Sequence, residues 1–160
     1  VEETPDESTN EPVVEEKPKQ EVYKDNYIGT LEIPKIGLTK GFVDMNSYRN
    51  NVDYNMQIIK PSNYPDVDKG NFIIASHSGT SNISYFKNLY KLTNGNEVIV
   101  YYNNVKYIYK IVKIYNHPKN GTVAIYRDNN KTTITLITCT KNDNNNQTIY
   151  IGELVNKNNY

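Results

Sequence analysis

The chain has one cysteine, two histidines, two arginines and no tryptophan in 160 residues. A single cysteine excludes an internal disulfide, although it does not fix the compartment. No cluster of acids has the spacing of an ion-binding loop, so neither a metal nor a cofactor is expected. No apolar run is long enough to span a membrane, and no signal peptide is recognisable. Basic residues are not dense enough anywhere to argue for nucleic acid as a partner.

The formal net charge of +0 conceals an uneven distribution. Residues 1–22 carry a net −6, with Pro5, Pro12 and Pro18 among the charges, and the remainder carries +6. Such a segment cannot bury enough apolar surface to offset its ordering entropy. Residues 1–25 are therefore expected to be a disordered acidic spacer, residues 26–156 one folded domain, and residues 157–160 a tail. The chain opens inside the spacer without an initiator Met, as a trimmed form of a longer, membrane-anchored protein would. Tyr (15) far outnumbers Phe (3), which suits half-buried sheet positions with a wet rim.

The body reads as mainly β. Tyr27 to Ile33 alternates as a strand, Pro34 interrupts it, and Lys35 to Leu38 has the look of a second short strand. Short helices are expected over Met45 to Asp53 and over Ser84 to Leu92, the latter from the spacing of Phe86, Leu89, Tyr90 and Leu92. Lys60 to Gly70 and Thr122 to Lys131 are loops. Val98 to Tyr102, Asn103-Asn104 and Val105 to Tyr115 form a hairpin signal, broken by the His117-Pro118 turn. Many strands with few short helices are held most economically in a closed β-barrel.

Chemistry concentrates at two strand ends. Thr132 to Cys139 is a buried-strand run that delivers the lone thiol to an Asn-rich loop, Thr140 to Asn146. A lone cysteine in a strand is also a small core hydrophobe. Phe72 to Thr80, however, is a second apolar strand that runs into a small-residue loop at His77. An imidazolium near a thiol favours the reactive thiolate and can later protonate a leaving amine. An acyl-transfer site also needs oxyanion donors, and the Thr140 N–H is available in principle. His117 sits in what reads as a surface turn, apart from the chemistry. Asp143 is read as a solvated loop acid rather than an orienter of His77.

Three stretches in this order resemble the sortases, cysteine transpeptidases of Gram-positive cell surfaces. They are Gly29-Thr30-Leu31-Glu32-Ile33-Pro34-Lys35-Ile36; Ala75-Ser76-His77-Ser78 with Tyr85 to Leu89; and Thr135-Leu136-Ile137-Thr138-Cys139, similar to the family's TLxTC signature. The resemblance covers about Tyr27 to Leu154 and implies a closed eight-stranded barrel with a few short helices. It further implies Cys139 as nucleophile and His77 as general acid. The expected partners are surface proteins with an LPxTG-like sorting signal, whose Thr carbonyl is captured as a thioester, and an amine acceptor on a cell-wall precursor or pilin. The resemblance places the protein on the extracellular face of the membrane. The Thr122 to Lys131 loop would line the groove, with Thr138, Ser78, Thr140 and Arg127 touching substrate. No pilin-type lid motif is visible.

One departure stands out. The family carries an Arg at the start of the strand after the Cys loop, where this chain has Gln147. Gln can donate a hydrogen bond to the oxyanion but brings no charge, and a charge-assisted bond is about twice as strong. Arg127, or less readily Lys141, is the available substitute cation. Two alternatives to the transpeptidase therefore stand: a sortase-fold peptide-binding module with weak or no catalysis, and a hydrolase in which water resolves the thioester.

Overall fold

The structure, a computed structural model, describes residues 24–160, so the expected spacer lies outside the described residues up to residue 23. Eight strands follow in chain order. They are β1 (Tyr27–Ile33), β2 (Leu38–Val43), β3 (Gln57–Ile58), β4 (Asn71–Ala75), β5 (Glu97–Tyr102), β6 (Val105–Pro118), β7 (Thr133–Cys139) and β8 (Asn146–Asn159). They form a single sheet in the order β2-β1-β5-β6-β8-β7-β4-β3, curled into a nearly closed barrel.

β4 and β7 are the only parallel neighbours among the described strands, in register from Asn71↔Thr133 to Ala75↔Ile137. Both are covered on both faces, which is why neither alternates in sequence. Phe72, Ile74, Ile134 and Leu136 enter the main core with Leu31, Phe42, Val100 and Tyr109. On the opposite face Ile73, Ile137, Ile149 and Ile151 form a second, smaller cluster. In β1, Leu31 and Ile33 are fully buried as the alternation requires, and Gly29 shares their face. A Cβ at Gly29 would run into the Phe42 ring and come within 2.7 Å of the Tyr101 carbonyl, so the β1–β5 approach depends on glycine. The hairpin turn is as read: Asn103 (φ 51°) and Asn104 (φ 65°) are both left-handed, the conformation a two-residue primed turn requires.

Several local expectations are corrected. Met45 to Asp53 is a chain of turns rather than a helix. Its polar side chains bond the backbone locally: Asn46 N–H to Asp44, Arg49 N–H to Ser47, Asp53 N–H to Asn51 and Val52 N–H to Gln57. Residues 84–92 are turns ending in a 3₁₀ turn, Leu89–Lys91, closed by i→i+3 bonds. The tighter period of three buries Phe86, Leu89 and Leu92 and leaves Tyr90 exposed. Pro34–Ile36 is likewise a 3₁₀ turn, ended by Gly37 at φ 65°, so the second strand starts at Leu38. The sheet does not break at His117-Pro118, because both pair with β8, at Gln147 and Asn146. Residues 157–159, expected as tail, pair with Val105 to Tyr107 through the backbone, a contact that polar residues do not signal. Asp25, at the end of the expected spacer, takes a two-pronged bond from Arg49 at 2.7 and 3.3 Å.

Tyr109 is fully enclosed, and its hydroxyl has no hydrogen-bond partner among the described residues. Burial pushes its phenol far above the usual tyrosine range and that of Tyr150 up to about 12. Above about pH 10 the unfolded chain releases protons that the folded chain retains, so stability falls as pH rises. Tyr109→Phe removes an unpaired buried hydroxyl. Urea denaturation is expected to show a gain of about 1 kcal/mol at neutral pH and a shallower alkaline decline.

Candidate active site

The parallel register of β4 on β7 determines what meets at the barrel's end. Ser76 continues the pairing past Ala75: its N–H donates to the Ile137 carbonyl at 3.3 Å, and the Thr138 hydroxyl donates to the Ser76 carbonyl at 2.8 Å. The next residue on each strand is His77 and Cys139. On the other side of β7, Cys139 pairs with Gln147 of β8, and Gln147 with His117 of β6. One row across β7, β8 and β6 therefore runs Cys139, Gln147, His117, and His77 continues the chain from the end of β4 on the other side of β7. Strands lie ~4.8 Å apart, which puts His117 roughly two strand spacings from the thiol.

The His77 loop is held by its own hydrogen bonds. Phe86 N–H donates to the His77 carbonyl, Tyr85 N–H to the Ser76 hydroxyl, and the buried Phe86 ring plugs the turn. The His77 side chain is 42% exposed, and its Nε2 lies 3.7 Å from Oδ1 of Asp53. Asp53 is a contact that sequence reading missed, since only the turns of residues 44–55 bring it there. At 75% exposure it is a weak partner, of the kind usually worth under ~1 kcal/mol. Cys139 is a free thiol, neither fully buried nor fully exposed.

The remaining predicted residues separate. Thr138 is buried and ties β7 to the His77 loop. The Thr140 N–H is not available for an oxyanion, because it donates to the Asn146 carbonyl and closes the loop. Its hydroxyl meets that of Thr148 at 2.8 Å. Asp143 accepts from the Asn145 N–H and the Asn146 side-chain amide. The Asn146 bond, then the Asn145 N–H, hold its carboxyl below the usual range. Asp143 thus shapes the loop and does not reach His77 by any hydrogen bond. Arg127 lies at the far end of β7. Its guanidinium donates to the carbonyls of Lys69, Gly70 and Lys131 and to the Thr133 hydroxyl. Six residues of extended strand separate Thr133 from Cys139, ~20 Å, so Arg127 is no substitute cation for the thiol.

Two features flank Cys139. On one face lies the second apolar cluster, Ile73, Ile137, Ile149 and Ile151, with Ile59, Ala75, Val123 and Ile125 packed against it. The loop between β6 and β7 is fixed at both ends of its contact. The Tyr115 hydroxyl donates to the Ala124 carbonyl and accepts from the Tyr126 N–H, and Arg127 fixes the other end. On the other face, Ser78, Phe86, Lys87, Tyr90, Lys141 and Thr148 line a cavity of about 200 Å³ that reaches Cys139.

A Sortase domain family model matches residues 31–155. The chain belongs to the sortase family. Sortases are cysteine transpeptidases of the cell surface that act on proteins with LPxTG-type signals. Among solved structures, sortase A of Listeria monocytogenes superimposes with a TM-score of 0.70 at 18% identity, covering 85% of this chain and 92% of that one. A Clostridium perfringens sortase D5, described as a transpeptidase, gives 0.68 at 26% identity, with 82% and 80% covered. Sortase E1 of Streptomyces coelicolor, solved with a tripeptide in its active site, gives 0.66 at 20% identity, with 83% and 90% covered. No match was found among curated proteins. No helix among the described residues is long and apolar enough to cross a membrane.

Arg127 spends its donors on three carbonyls and the Thr133 hydroxyl at the root of the β6–β7 loop. Replacing it with Gln is expected to lower stability by about 1–2 kcal/mol and to speed amide exchange across residues 122–131, measured by hydrogen–deuterium exchange.

Proposed function

We propose that this sortase is a transpeptidase in which Cys139 attacks the Thr carbonyl of an LPxTG-like sorting signal. The carbonyl oxygen takes the negative charge of the tetrahedral adduct, and the side-chain amide of Gln147, next in the row, donates to it. His77 delivers the proton with which the Gly amine departs, leaving a thioester on Cys139. A primary amine then attacks the thioester carbon, the C–S bond breaks, and the thiolate leaves. The apolar side chains on the Ile137 face, with Val123 and Ile125 of the β6–β7 loop, suit the Leu-Pro part of such a signal. The observation that carries the reading is the juxtaposition itself: Cys139 and Gln147 are paired on β7 and β8, and His77 follows the end of β4, the other neighbour of β7.

Partners under this reading are surface proteins with a C-terminal sorting signal and an amine on a cell-wall precursor or pilin. The site of action is the outer face of the cell membrane, with an anchor preceding residues 1–25 as spacer. The second reading, a peptide-binding module, is favoured by one observation, the neutral Gln147. The two separate on product analysis of LPxTG-like peptides by mass spectrometry, with and without amines. The transpeptidase releases a Gly-containing fragment and forms an amine adduct, and Cys139→Ala yields neither. The module binds peptide equally with and without the thiol and releases nothing.

Gln147 also makes a quantitative prediction. A charged donor aimed at an oxyanion is worth ~2–4 kcal/mol. Gln147→Arg is therefore expected to speed thioester formation roughly thirtyfold to several hundredfold in single-turnover assays. His77→Gln is expected to slow it by ~10²–10⁴.

A further inference from the structure

The geometry points to an acceptor of a particular charge: the cavity beside Cys139 takes a primary amine whose own carboxylate is held by Lys87 and Lys141. This inference rests on the transpeptidase reading. Side chains alternate along β7, so the apolar cluster proposed to receive the donor lies on the face of Ile137 and the cavity on the face of Thr138. A donor peptide on the first of these faces would approach Cys139 from the side opposite the cavity.

The cavity's lining contains two ammonium groups, Lys87 and Lys141, and no acid. Lys141 is placed by the ring of Tyr90, its Nζ 4.3 Å from the centroid, and Lys91 Nζ stands 5.9 Å from the same ring. None of the three lysines forms an ion pair among the described residues. Asp143, the acid of the adjoining loop, is engaged by Asn145 and Asn146. Ile114 and Tyr150 add apolar wall to the same cavity. The chemistry that fits is an amine at the thioester, a methylene stem against that wall, and a carboxylate at the lysines. In the transfer the amine nitrogen bonds the thioester carbon, the C–S bond breaks, and His77 takes the proton that the nitrogen sheds.

The test compares Nα-acetyl-lysine with Nα-acetyl-lysine amide, two amines with the same stem and different charge. Both compete with water for the acyl-enzyme formed from an LPxTG-like peptide, and the ratio of transfer to hydrolysis is read by mass spectrometry. That ratio does not depend on how fast the acyl-enzyme forms. The carboxylate amine is expected to be favoured about fivefold at low salt and less at high salt. Lys87→Gln with Lys141→Gln is expected to erase the preference, and Lys141→Glu to reverse it. Equal ratios for the two amines, or a preference unchanged in the lysine variants, would overturn the inference. If no peptide is cleaved, the transpeptidase reading itself fails. The cavity is then judged by titrating Cys139→Ala with the same pair and following amide shifts by NMR. Preferential carboxylate binding at Lys87, Tyr90 and Lys141 supports the site, and its absence overturns it.

Discussion

The register of β4 against β7 is the constraint from which the site follows. Five consecutive residue pairs and the Thr138–Ser76 bond fix where the chain leaves the sheet, and a one-residue slip would turn every side chain of β7 to the other face. The slip is opposed on both faces at once, because Ile134 and Leu136 belong to the main core and Ile137 to the second cluster. Doubly buried strands make a stiff support. Cys139 is the last residue of β7 and His77 the second after β4, where they keep the support's geometry and gain exposure.

Charge in this sortase is distributed in a way that separates structural from chemical duties. One of its two arginines clamps the root of the β6–β7 loop, and the other is paired with Asp25 and stacked 4.4 Å over Tyr54. Neither guanidinium is spent at the thiol. Under the proposed reading a neutral amide, Gln147, serves the oxyanion, while Lys87 and Lys141 line the cavity that reaches Cys139. The first chemical step would then rely on position more than on field, with positive charge on the side proposed for the second substrate.

Much of this was legible in the sequence because it rests on local signals. The apolar runs ending at His77 and Cys139, the Asn103-Asn104 turn and the alternation of β1 each carry their structure in adjacent residues. The misread stretches share a physical cause. In residues 45–53, side-chain bonds to nearby N–H groups outcompeted the helix, and in 84–92 i→i+3 bonding replaced i→i+4 at nearly the same apolar spacing. The polar end of β8 and the use of the Thr140 N–H depend on partners distant in sequence or across a loop. Asp53 beside His77 and Arg127 at Thr133 belong to the same class: no spacing rule brings them there.

The central claim is that the thiol and the imidazole act on each other across the β4–β7 boundary. The most direct measurement is the rate of alkylation of Cys139 by iodoacetamide at neutral pH, in the wild-type chain and in His77→Gln. The account predicts that alkylation slows when the imidazole is removed. Equal rates would contradict it.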